Sequence, residues 1–86
     1  MMTKEPIPLS SVKKNQAVKV SVIHAGPALG QRLNAMGLYP GRELTVIRND
    51  DGSLMIRLER ERLVLGRTVG DHILVTPVAK PRGDAP

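Results

Sequence analysis

The sequence contains no cysteine, phenylalanine or tryptophan, and Tyr39 is its only tyrosine. Without cysteine there is no disulfide and no thiolate metal site. With one aromatic ring there is no platform on which a small barrel could stack successive nucleobases. No apolar run approaches the roughly 20 residues of a transmembrane helix, and no signal-peptide core follows Met1, so a cytoplasmic protein is expected. Gly26-Pro27-Ala28-Leu29-Gly30-Gln31-Arg32 carries two glycines near a helix start. It lacks both the spacing and the lysine of a phosphate-binding loop. The two histidines, His24 and His72, lie far apart in sequence and in no metalloprotease pattern, although strand ends in a barrel could bring them together.

Catalytic constellations are equally scarce. Asp50-Asp51 precedes Gly52, where such residues bond their own backbone in turns. Glu59 and Glu61 alternate with Arg60 and Arg62 as a solvated charged corner, and Ser10, Ser11, Ser21 and Ser53 have no histidine beside them. General acid–base work needs a carboxyl in a pocket, and 86 residues leave little room for one. Neither an enzyme nor a resident metal or cofactor is expected.

What is present is one small domain, 41% hydrophobic and 24% charged, whose apolar residues are almost all aliphatic. Thirteen lysines and arginines against eight acidic residues give a net charge of +5. These cations are scattered along the chain, with Lys13-Lys14 the only adjacent pair. A nucleic-acid partner is therefore the less favoured reading of the charge.

Residues 1–8, polar with two prolines, read as a loose lead-in, followed by Leu9 and Val12 as an apolar anchor. Gln16 to His24 carries Val18, Val20 and Val22 in alternation, the period of a half-buried strand; Ile23 breaks that period and marks a bulge or bend. Gly26-Pro27 opens a helix of about ten residues with Leu29, Leu33 and Met36 on one stripe. Gly37 stands where a left-handed helix stop is wanted, and Leu38-Tyr39-Pro40-Gly41 forms a turn. Strands are then expected at Glu43 to Arg48, around Leu54-Ile56-Leu58, at Leu63-Val64-Leu65 and at His72 to Thr76. Asn49-Asp50-Asp51-Gly52 would form the hairpin turn, and Gly66 to Asp71 an irregular turn. Residues 77–86 have the makeup of a disordered tail. No proline falls inside these strand runs. Five short strands, each with one apolar face, bury that face by curling into a mainly β, SH3-like barrel, with the helix lying between the first and second strands.

The element Arg32-Leu33-Asn34-Ala35-Met36-Gly37-Leu38-Tyr39-Pro40-Gly41, following a valine-rich strand, resembles the FeoA family of small accessory proteins of bacterial ferrous-iron uptake. Leu9 and Val12 resemble its opening anchor, and Gln16-Ala17-Val18-Lys19-Val20 its first strand. Val64-Leu65-Gly66-Arg67 and His72-Ile73-Leu74-Val75 resemble its closing segments. The similarity runs over residues 9–76, the expected domain. Asn15 stands where the family commonly has glycine, and Gly70 where it often has alanine.

The resemblance implies an SH3-like barrel and a cytoplasmic, non-enzymatic role beside FeoB, the membrane permease that carries a GTP-binding domain. On that reading the functional element is a surface. Leu33, Met36, Gly37 and Gly41 are structural, serving as core, helix stop and turn. Leu38, Tyr39 and Pro40 place apolar groups on a loop, which is either a lid buried over the barrel or a docking knob; the second is the expectation, with tyrosine a frequent interface anchor. Arg32 on the polar helix face would pair with an acidic partner group. Two alternatives stay open: a basic barrel binding nucleic acid, and a detached relative of the SH3-like domain of iron-dependent repressors. The apolar loop and unpaired edge strands also leave room for a homodimer.

Overall fold

The computed structural model describes residues 5–78. Six strands form one antiparallel sheet in the order β1-β6-β2-β3-β4-β5: β1 (Ile7–Pro8), β2 (Ala17–Ile23), β3 (Glu43–Asp50), β4 (Ser53–Leu58), β5 (Glu61–Gly66) and β6 (Ile73–Pro77). A 3-10 turn at Leu9–Ser11 follows β1. Helix α1 (Pro27–Ala35) links β2 to β3, and one helical turn, α2 (Arg67–Gly70), links β5 to β6. The helix thus lies between the first long strand and the second, as expected.

The sixth strand is β1, inside the segment read as a lead-in. Ile7 and Pro8 pair with Val75 and Leu74. Two residues are too few to show alternation, and their proline is tolerated because β1 is an edge strand. Pro77, assigned to the tail, instead ends β6, and the Val78 N–H donates to the Ala17 carbonyl at 3.0 Å. Residues 1–4 and 79–86, the rest of the expected lead-in and tail, lie outside the described residues. The other boundaries shift by a few residues. β3 runs on through Asn49 and Asp50, leaving Asp51-Gly52 as the turn, and the charged corner shrinks to Glu59-Arg60 because Glu61 and Arg62 pair with Leu58 and Arg57.

Apart from Ser10, the buried side chains are aliphatic. Leu9, Val12, Val18, Val20, Leu33, Leu38, Val46, Leu54, Ile56, Leu58, Ile73 and Val75 are all at or near zero exposure. Val22 breaks the single apolar face expected of β2. The register shifts between Val20 and Val22, and the extra residue turns Val22 outward and Ile23 toward the core.

No ladder joins β1 to β5 among the described residues. The seam between the two sheet ends is spanned by α2, which packs on the 3-10 turn, on β4 and on β5. Side chains lock this contact. The Asn49 amide donates to the Ser10 carbonyl at 3.0 Å and to the Val12 carbonyl at 2.8 Å. Arg67 donates to the Asn49 side-chain oxygen, and the Ser10 hydroxyl to the Asp71 carboxylate. Asn49→Ala orphans two carbonyls and a guanidinium together, so a loss of about 2 kcal/mol is expected in urea unfolding. Asn49→Asp, which keeps the shape but removes the donors, should not restore it.

Glu59, first of the two residues joining β4 to β5, has φ +47, a left-handed conformation that non-glycine residues resist. Glu59→Gly is expected to stabilise the fold by about 0.5–1 kcal/mol. Asn15 is also left-handed, at φ +69, which asparagine tolerates.

Candidate functional site

The end of α1 builds the site. Helix capping there follows from one glycine: Gly37 adopts φ +95, its N–H bonds the Asn34 carbonyl at 3.0 Å, and the Leu38 N–H reaches back to Leu33 at 2.9 Å. These two bonds make a Schellman stop, whose usual companion is a hydrophobic contact between the residue after the glycine and the last turn. Leu38 and Leu33 fill those two positions, and both are fully buried.

Leu38 is therefore not a docking residue. Its expected role as part of an exposed knob is corrected by its zero exposure: the helix stop turns this side chain into the core, and the loop is half lid, half surface. Met36 is half-buried at the edge of the core, with Leu29.

The next four residues turn outward. Gly41 has φ +96, and the Arg42 N–H bonds the Tyr39 carbonyl at 3.0 Å. Proline second and left-handed glycine third make Tyr39-Pro40-Gly41-Arg42 a type II turn. Two further bonds pin it to β2: Gly41 N–H to the Val20 carbonyl, and Val20 N–H to the Arg42 carbonyl, both 2.8 Å.

A turn of this type brings its first and fourth residues together. The Arg42 guanidinium donates to the Tyr39 hydroxyl at 3.1 Å and lies 5.8 Å from the ring centroid, within cation–π range. The hydrogen bond to Tyr39 holds the Arg42 pKa above its ordinary value. Tyr39 is 37% exposed, and Pro40 is exposed beside it.

Beneath the pair runs an open groove of about 680 Å³, lined by Tyr39, Arg42, Glu43, Thr45, Arg57 and Glu59 among others. Its lining carries both signs of charge, Arg42 and Arg57 with Glu43 and Glu59. Arg32 is exposed on the last turn of α1 and does not line the groove; Pro40 flanks the groove without lining it. The expected surface thus separates: Tyr39 and Pro40 share one turn, Arg32 stands apart on the helix, and Leu38 is interior. Arg42, absent from the expected set, is the partner Tyr39 actually has. Its signal lay in the Tyr-Pro-Gly-Arg spacing, which sets residues one and four of a type II turn side by side.

No group of three or more metal-ligating side chains occurs among the described residues. No described helix is long and apolar enough to cross a membrane.

A family model described as the FeoA domain matches residues 7–77. The chain belongs to the FeoA domain family. It is 37% identical over 68 residues to a protein of Methanocaldococcus jannaschii provisionally named Fe(2+) transport protein A, a match spanning 79% of this chain and 83% of that one. The crystal structure of an iron uptake regulatory protein (FeoA) superposes with a TM-score of 0.80 at 26% identity, covering 85% of this chain and 99% of the other. A manganese-dependent transcriptional repressor also gives a TM-score of 0.80, at 17% identity, over 91% of this chain and 45% of the repressor. This likeness bears on the fold alone, and the fold is the mainly β, SH3-like one expected. With a FeoA domain over nearly all of its described residues, the chain falls within the proteins of Fe(2+) transport.

Proposed function

We propose that this FeoA domain is a non-enzymatic adaptor of ferrous-iron uptake that binds the cytoplasmic part of a FeoB-type permease through the Tyr39–Arg42 turn and its groove. The carrying observation is the turn itself: an exposed tyrosine and a paired arginine, both among the residues that most often anchor interfaces, held rigid by three backbone hydrogen bonds and by Leu38 beneath. Little side-chain freedom remains to be lost on docking, which favours affinity. The partner best suited offers an apolar contact to the ring and a carboxylate to Arg42 and Arg57.

Titrating the isotope-labelled protein with the soluble cytoplasmic domain of such a permease tests the surface. Amide shift changes are expected at residues 39–45 and 57–59. Changes confined to the 3-10 turn and α2, on the Asn49 clasp, would contradict it.

A basic barrel that binds nucleic acid is the rival. The sole aromatic ring is already paired with Arg42, so such binding would rest mainly on phosphate contact, which is steeply salt-dependent. Steeply salt-dependent binding to unspecific DNA or RNA, without binding to the permease domain, would favour the rival.

A further inference from the structure

The sequence placed its two histidines far apart, and the fold puts them side by side. Ile23 of β2 faces Ile73 of β6, and one step further the His24 N–H donates to the His72 carbonyl at 2.8 Å. The His72 N–H is held in turn by the Val69 carbonyl at 3.0 Å, so both backbones are fixed. Ile73 is fully buried, and the pleat carries the following pair to the opposite, outer face; both histidines are exposed. Residues facing each other across antiparallel strands have their Cβ atoms roughly 4.5–5.5 Å apart. Neither imidazole has a hydrogen bond or ion pair among the described residues, and the neighbouring Asp71 carboxylate is taken by Ser10.

We propose that His24 and His72 form a two-imidazole site for a divalent transition-metal ion, bridging the ends of β2 and β6. Imidazole suits zinc, nickel, copper and iron, at about 2.0–2.1 Å for zinc, a reach that two facing rings meet by rotation about their side-chain bonds. With no third protein ligand in the described residues, the ion keeps water on its remaining positions and exchanges readily. Because it binds only the folded chain, in which the two strand ends meet, it stabilises that chain increasingly as the free-ion concentration rises above its Kd. The site is separate from the Tyr39–Arg42 groove and does not depend on the docking reading.

Calorimetric titration of the full chain with Zn²⁺ and with Ni²⁺ tests this, alongside His24→Asn and His72→Asn. One ion per chain is expected, together with a rise in Tm. Either substitution should weaken binding at least about tenfold and abolish the rise in Tm. These positions are exposed, so both variants should fold; retained amide spectra would confirm it. Ni²⁺ should broaden amide signals at residues 22–25 and 71–74. No binding, binding that neither substitution weakens, or half an ion per chain with a metal-dependent dimer would each overturn the proposal.

Discussion

Leu38→Ala is expected to destabilise the protein by about 2–5 kcal/mol, while Tyr39→Ala, one residue along, should change stability by about 1 kcal/mol or less. Leu38 is fully buried beside Leu33 and lies within the hydrogen-bonded helix stop, so truncation leaves a cavity that rigid neighbours cannot close. Tyr39 has a solvated hydroxyl, one arginine contact and considerable exposure. A domain of this size has only about 5–15 kcal/mol in total, so the leucine variant should unfold at markedly lower urea. Equal losses from the two substitutions would mean that the turn is a uniform lid, with no surface part to spare.

Binding should invert that order. Tyr39→Ala is expected to weaken association with the permease domain by about 30-fold or more, corresponding to the ~2 kcal/mol typical of a buried aromatic anchor. Tyr39→Phe keeps the ring and loses the acceptor for Arg42, so it should fall between wild type and alanine. Arg42→Lys retains the charge but not the planar stacking on the ring, and it too should cost affinity. Full affinity in folded Tyr39→Ala would move the contact elsewhere, with exposed Arg32 on α1 the next candidate.

Much of this fold was legible because its signals are local. Valine alternation gives β2, the Leu29-Leu33-Met36 stripe gives α1, and Gly37 and Gly41 stand where left-handed backbone is required. What escaped has no local signature. Ile7-Pro8 becomes a strand only because β6 offers a free edge. Asn49 looks like a turn residue from its neighbours Asp50, Asp51 and Gly52, yet it acts through contacts with residues 37 and 39 positions away in the chain. The outward flip of Val22 needs the bulge at Ser21, which alternation alone does not show.

The candidate site was half legible for a related reason. An apolar Leu-Tyr-Pro stretch on a loop does mark a special segment. Whether each side chain points in or out depends on the stop at Gly37, whose two backbone bonds send Leu38 inward, and on the turn at Gly41, which sends Tyr39 outward against Arg42. Gly70, where the resembled family often has alanine, shows the same dependence on distant packing. A Cβ there would approach Leu54 Cδ1 to 2.5 Å, so glycine at this position is matched to the leucine on β4.

The most direct test of the adaptor reading is calorimetric titration of the intact protein into the soluble cytoplasmic domain of a FeoB-type permease, with and without guanine nucleotide. Saturable one-to-one binding in at least one nucleotide state, lost in Tyr39→Ala, is the predicted result. Absence of binding in every nucleotide state, with both proteins folded, would contradict it.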